Sequence, residues 1–280
     1  MFNGGEQLLL SVRSILNQTF SDWELLILDD GSTDGAPERV LLLGDTRVRI
    51  LRDGQNKGLA VRLNQAISLA RGTYFARMDH DDICHPERLA RQIQFLKSNS
   101  EIDLLATQCL AMNEQEEIVG ALPIAISHDE ICRRPWQGFY MAHPTWVGKT
   151  SWFQAHLYKT PAPYCCEDQE LLLRASEVSR YHTLPLNLLA YRVRSRTSWE
   201  KLWRTRLDLA KVQSSYFLRR RLYGNAFLSL ISGVLRLTRD FQRRYLPLGG
   251  PAKRHFVLRS ELQAWEGLIA ELKDCARNDQ

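Results

Sequence analysis

No stretch of the 280 residues reaches the roughly 18 to 20 uninterrupted apolar residues that a membrane span needs. No secretory leader is expected either, because Leu8-Leu9-Leu10 is too short for an apolar core and lacks a basic lead. The cysteines (84, 109, 132, 165, 166 and 275) contain no C-x-x-C pair, which argues against a zinc site and suggests no disulfide framework. A reducing, cytoplasmic compartment is expected. There is no Gly-rich loop carrying Lys or Arg near the N-terminus, which speaks against a nucleotidyltransferase. No repeat and no nucleic-acid-binding motif is present, so no nucleic-acid partner is expected.

What is present is uneven charge. From Arg192 onward there are 19 basic against 8 acidic residues, and before it 18 against 24. An acidic front fits a metal-using site, and a basic rear fits an anionic surface or partner.

The front half centres on Phe75-Ala-Arg-Met-Asp79-His-Asp81-Asp82, where a mostly apolar run ends in three carboxylates within four positions. Like charges this close repel unless a cation sits among them. Hard oxygen ligands suit Mg²⁺ or Mn²⁺, and Mg²⁺ is commonly held by one or two carboxylates plus substrate phosphates. The alternative is a solvated acidic turn before the helix that begins near Pro86.

A second acidic turn tips the balance. Trp23 to Leu28 is a nearly continuous apolar run of strand length, as in a strand covered on both faces, and it ends in Asp29-Asp30-Gly31-Ser32-Thr33-Asp34. Helix 5–18, strands at 48–51 and 74–78, and a helix from Leu59 to Ala70 complete an alternation of helices and strands with short connections. That pattern predicts a doubly wound α/β sheet, in which ligands bind beyond the carboxyl ends of the strands. Both acidic turns lie at such ends. Further along, a helix is expected from Pro86 to Lys97, a strand over 103–107, and a hairpin over 112–122. Ser127 with Glu130 forms a capping-box pattern, a helix opens at Cys166-Glu167-Asp168, and a last strand runs over 188–193. After Thr197 the chain turns to long helices, interrupted by a turn at Leu248-Gly-Gly-Pro251.

Together the run Ser14-x-Leu16-x-Gln18, Trp23-Glu24 through Asp34, Asn56-x-Gly58, Gly72 and Asp79-x-Asp81-Asp82, extended by His143-Pro144 and Glu167-Asp168, resembles the family 2 glycosyltransferases of GT-A fold. The likeness covers about residues 2–195. It implies a GT-A, Rossmann-like mixed sheet with flanking helices over residues 1–196 and a basic helical appendage over 197–280. It also implies metal-dependent, inverting transfer of a sugar from a nucleotide-sugar donor, a UDP-sugar first of all, to a saccharide or lipid-linked acceptor. By position, Asp29 and Asp30 would meet the nucleoside and Asn56, Lys57 and Arg62 the nucleotide, while Asp79, Asp81 and Asp82 match the D-x-D element, with Asp79 contacting substrate and Asp81 and Asp82 nearest the ribose–diphosphate. Asp81 and Asp82 would hold Mn²⁺ or Mg²⁺. Asp168 matches the catalytic base beside Glu167, although a carboxylate there could equally be a plain helix cap. His143 would line the acceptor side or pack in the core. Phe2 would offer an aromatic face to the base.

The family opens with a buried strand before a Pro-x-Tyr-Asn turn, and Met1-Phe2-Asn3-Gly4 matches only the end of that turn. The resemblance thus implies a start short of one strand, which would sit beside the Trp23–Leu28 run. A binding or scaffold role without catalysis is the alternative. The rear helices carry no family motif. Residues 217–246 read either as an amphipathic contact with the inner membrane surface or as a helical cap on the catalytic domain.

Overall fold

A computed structural model describes residues 1–194, 197–246 and 255–278. The boundary expected at 196 and the turn expected at 248–251 lie outside the described residues. In chain order the elements are α1 (Gly5–Leu16), β1 (Leu25–Asp29), α2 (Ala36–Leu41), β2 (Val48–Arg52), α3 (Leu59–Leu69), β3 (Tyr74–Ala76), β4 (Ile83–Cys84), α4 (Arg88–Ser98), β5 (Leu104–Met112), β6 (Ile118–Ala121), α5 (His128–Ile131), β7 (Val147–Lys149), α6 (Thr150–Ala155), α7 (Glu167–Ala175), β8 (Tyr181–Arg192), α8 (Trp199–Arg219), α9 (Tyr223–Tyr245) and α10 (Arg259–Asn278). Ser127 and Glu130 form the expected capping box at the start of α5.

The strands form a mixed α/β arrangement. A six-stranded sheet runs β3-β7-β5-β8-β4, with β6 on the far half of β5. Its spine is the parallel pair β5–β8, from Leu104 opposite Tyr181 to Met112 opposite Arg192. Eight of the nine residues of β5 are buried, which fits its largely apolar sequence, interrupted only by Thr107 and Gln108. The parallel pair β1–β2 stands as a separate sheet, with Leu25 opposite Val48 and Asp29 opposite Arg52. Leu8 and Val12 of α1 pack on Ile27 and Val40 beside that pair. Trp265, Ile269 and Leu272 of α10 cover Ile83, Leu110, Met112 and Ala190.

Among the described residues, β1 has β2 on one side only. On its other side a cleft of about 1240 Å³ separates it from β3, lined by Leu25 to Leu28 on one wall and Tyr74 to Arg77 on the other. Met1 enters the top of this cleft in ladder fashion: its ammonium donates to Leu28 O at 2.6 Å, and Asp30 N donates to Met1 O at 2.8 Å. The foot is tied by Glu24, which accepts from Arg71 N at 2.7 Å and Arg71 Nε at 3.0 Å.

Candidate active site

The first acidic end is built from the turn after β1. Gly31 has φ +85°, and a Cβ there would approach the Gln55 backbone carbon to 3.2 Å, so glycine alone lets the two loops meet. Asp29 Oδ1 accepts from Ser32 N at 3.0 Å and shapes the turn. Asp30 accepts from the backbone of Lys57 at 2.7 Å and of Gly58 at 3.0 Å, and from Arg62 Nε at 2.9 Å. Every donor of the buried Arg62 is engaged, the others reaching Asp53, Gln65 Oε1 and Gln55 O. Asp30 and Arg62 therefore form a buried clamp that fixes the 53–58 loop. Asn56 and Lys57 stand exposed on that loop, with Lys57 Nζ 2.6 Å from Asp53. Phe2 is 48% exposed beside it. Its neighbours are pinned, since Asn3 N donates to Ser32 Oγ at 2.9 Å and Gly5 N to Asp34 at 2.7 Å.

At the end of β3 the three carboxylates separate. Asp79 and Asp81 are partly exposed. Asp82 is 0% exposed: its Oδ1 accepts from Arg192 N at 2.9 Å, and its Oδ2 has no partner. Burial first, then Asp79 and Asp81, hold the Asp82 carboxyl well above the usual carboxylate range. Among the described residues, no three His, Cys, Asp or Glu side chains converge where an ion could be caged. Two partly exposed carboxylates at a strand end still suit a hard cation that takes its remaining ligands from a diphosphate. The residues fit an ion shared with substrate, with Asp79 and Asp81 as its accessible protein oxygens and Asp82 turned into the fold.

Asp79 is gripped by Arg77, Nη2 to Oδ1 at 2.5 Å. Arg77 is itself buried, and its Nε and Nη1 have no hydrogen-bond partner. Burial opposes its charge, but Asp79, Tyr158, Asp82 and Glu167 outweigh that and raise its pKa. Arg77 thus contacts Asp79 directly, and its charge also reaches the pair at the start of α7.

That pair is Glu167-Asp168 in the first turn of α7. A helix N-terminus favours anions, yet burial dominates here. Burial, and then the Asp168 charge, push the Glu167 carboxyl from 4.5 up to about 7. Burial likewise raises Asp168, only partly offset by Gln169 and Arg77. Gln169 donates to Asp168 Oδ2 at 3.2 Å while its Oε1 accepts from Phe139 N at 2.8 Å, so Asp168 is braced against the 139 loop.

His143 is packed in the core. Its Nε2 lies 2.7 Å from Tyr158 Oη, its ring meets Trp146 edge-on at 4.5 Å, and burial holds its pKa well below the usual value. Three residues of the site escaped the sequence reading: Arg77, Arg192 and Gln169. A charged residue inside an apolar strand just before a carboxylate cluster was the available signal for Arg77. Arg192 ends β8 in the same way, and its Nε donates to Asp81 O at 2.9 Å.

The model of the family "Glycosyl transferase family 2" matches residues 1–156. The O-antigen biosynthesis glycosyltransferase WbnJ of Escherichia coli is 30% identical over 235 residues, covering 79% of this chain and 87% of that one. Several other curated relatives are matched over less than half of their own length. Among solved structures, the mannosyltransferase PcManGT of Pyrobaculum calidifontis, in complex with GDP-Man and Mn²⁺, has TM-score 0.60 at 16% identity, covering all of this chain and 84% of that one. TarS of S. aureus, in complex with UDP-GlcNAc, has TM-score 0.59 at 14% identity, covering all of this chain and 90% of that one. These two likenesses are likenesses of fold.

Proposed function

The chain belongs to glycosyl transferase family 2, and from that premise we propose that it moves a sugar, with inversion, from a nucleoside-diphosphate sugar to an acceptor hydroxyl in surface polysaccharide or glycolipid synthesis. The observation that carries this reading is the pairing of the buried Arg77 with Asp79 at the end of β3, with Glu167 and Asp168 at the start of α7 within reach of its charge. The named ligands of the two solved neighbours, GDP-Man and UDP-GlcNAc, support a nucleotide-sugar donor, and a UDP-sugar is the first choice.

Phe2 offers a ring to the base. Asp29 and the loop clamped by Asp30 and Arg62 receive the nucleoside, with Asn56 and Lys57 at its rim. Asp79 and Asp81 face the diphosphate, where Mn²⁺ or Mg²⁺, once bound, neutralises charge on the leaving group. Asp168 accepts the proton of the acceptor hydroxyl as its oxygen attacks the anomeric carbon. The bond from that carbon to the diphosphate breaks on the opposite face, and the nucleoside diphosphate leaves with the electron pair. Burial strengthens Asp168 as a base by raising its proton affinity. Gln169 and then Arg77 partly oppose that rise, and Arg77 holds Asp79 in place. The acceptor, a saccharide or lipid-linked saccharide, enters on the α7 side at the inner face of the membrane.

Transfer of labelled sugar from UDP- and GDP-sugars by the unmodified chain, Asp168→Asn and Asp81→Asn tests this. Asp168→Asn should lose about 10²-fold or more, the usual contribution of a general base. Undiminished rates in both variants overturn the assignment. A second reading, donor binding without transfer, draws on the open cleft beside β1, and transfer above background by the unmodified chain excludes it.

A further inference from the structure

Helix α9 spans 23 residues, about 35 Å of helix. One face is accounted for. Ala226 and Ser229 are buried, a Cβ at Gly233 would lie 3.1 Å from that of Ala210 on α8, and Asp240 pairs with Arg206 at 2.9 Å. Arg236 donates to Gln137 O. The adjoining face is exposed: Tyr223, Phe227, Leu230 and Val234 recur at helical spacing, Phe227 being 65% and Val234 60% exposed, while Phe241 further along meets the Trp199 ring at 5.9 Å. Arginines lie at both ends of this stripe along the chain, at 219, 220 and 221 before it and at 239, 243 and 244 beyond it; Arg220 is paired with Glu177, and Arg244 donates to Thr197 O. Asp240 is the only acidic residue between 217 and 246, and it is already paired.

We propose that this face of α9 docks, in the plane of the surface, onto a membrane rich in anionic phospholipid. Among the described residues no helix is long and apolar enough to cross a membrane, so the stripe can only lie along one. A moderately apolar helix with aromatic and aliphatic residues on one face and arginines at its borders is the pattern of interfacial binding, the rings entering the acyl boundary and the guanidinium groups meeting phosphate. A second copy of the chain fits worse. Both ends of the stripe are basic, so parallel and antiparallel pairing alike set arginines against arginines. Docking does not depend on sugar transfer, so the two can fail separately.

The test is flotation of the full-length chain with phosphatidylcholine vesicles, with and without phosphatidylglycerol. Binding is expected only with phosphatidylglycerol and should fall steeply as salt rises. Phe227→Glu/Val234→Glu and, separately, Arg243→Gln/Arg244→Gln should each weaken it about tenfold or more. Leu42→Glu, at a residue 85% exposed just after α2, should leave it unchanged. Absence of binding to anionic vesicles overturns the proposal, as does binding indifferent to both double variants. A dimer in solution that Phe227→Glu/Val234→Glu dissolves would also overturn it.

Discussion

Glu167→Gln isolates the electrostatic stress at the start of α7. In the folded chain burial and Asp168 raise this carboxyl from 4.5 to about 7. The folded state therefore holds the proton more tightly than the unfolded chain. Its contribution to stability is fully present below pH 4.5, is lost as pH rises through 7, and stays lost above that. At about 1.4 kcal/mol per pH unit, a window of about 2.5 units amounts to about 3 kcal/mol. Glutamine keeps the shape and cannot ionise, so it removes this pH-dependent part and little else. Urea denaturation of both proteins at pH 5 and at pH 8 reads the difference. The gap between variant and wild type should move by about 2 to 3 kcal/mol in favour of the variant between those pH values. A gap that does not change with pH refutes the reasoning, because the carboxyl would then be as well solvated folded as unfolded.

Arg62→Met should cost about 3 to 5 kcal/mol, since it strands the buried Asp30 carboxylate; thermal unfolding measures this, and calorimetry should show weaker nucleoside-diphosphate binding as the 53–58 loop loosens. Chelation should abolish transfer and added Mn²⁺ or Mg²⁺ restore it, with Asp81→Asn requiring more ion for half-maximal rate; a chelator-resistant rate refutes the shared-ion site. His143→Phe should cost about 1 to 3 kcal/mol by leaving Tyr158 Oη unpaired, with the acceptor KM unchanged; a raised KM would place His143 at the acceptor instead.

The alternation of apolar runs and acidic turns located β1, β2, β3 and the two carboxylate ends, because those segments carry their own pattern. Trp23 and Glu24 fall outside β1 for reasons no local pattern contains: Trp23 lies under the Arg47 guanidinium at 3.8 Å, and Glu24 ties down Arg71. β5 and β8 run well past the expected 103–107 and 188–193 because each extends on the other's hydrogen bonds. Pro185 hid the first half of β8, and the ladder does slip there, with Thr107 opposite Leu184 but Gln108 opposite Asn187. The spacing of the three aspartates was legible; their division into two partly exposed carboxylates and one inside was not, since Arg192, which receives Asp82, is 110 residues away. His143 was ambiguous for the same reason, its partner Tyr158 being fixed only by the fold.

The separation of β1–β2 from the larger sheet also bears on motion. The two acidic strand ends proposed to take the donor ride on different sheets, joined at the foot by Glu24 and Arg71. A nucleotide reaching from the Asp29–Asp30 turn to Asp79 would bridge them as a cross-brace. Part of its binding free energy would go into stilling one sheet against the other, and a nucleoside lacking its phosphates would brace nothing. Slowed amide exchange along β1 on binding the diphosphate, and none on binding the nucleoside, is the signature of such a brace.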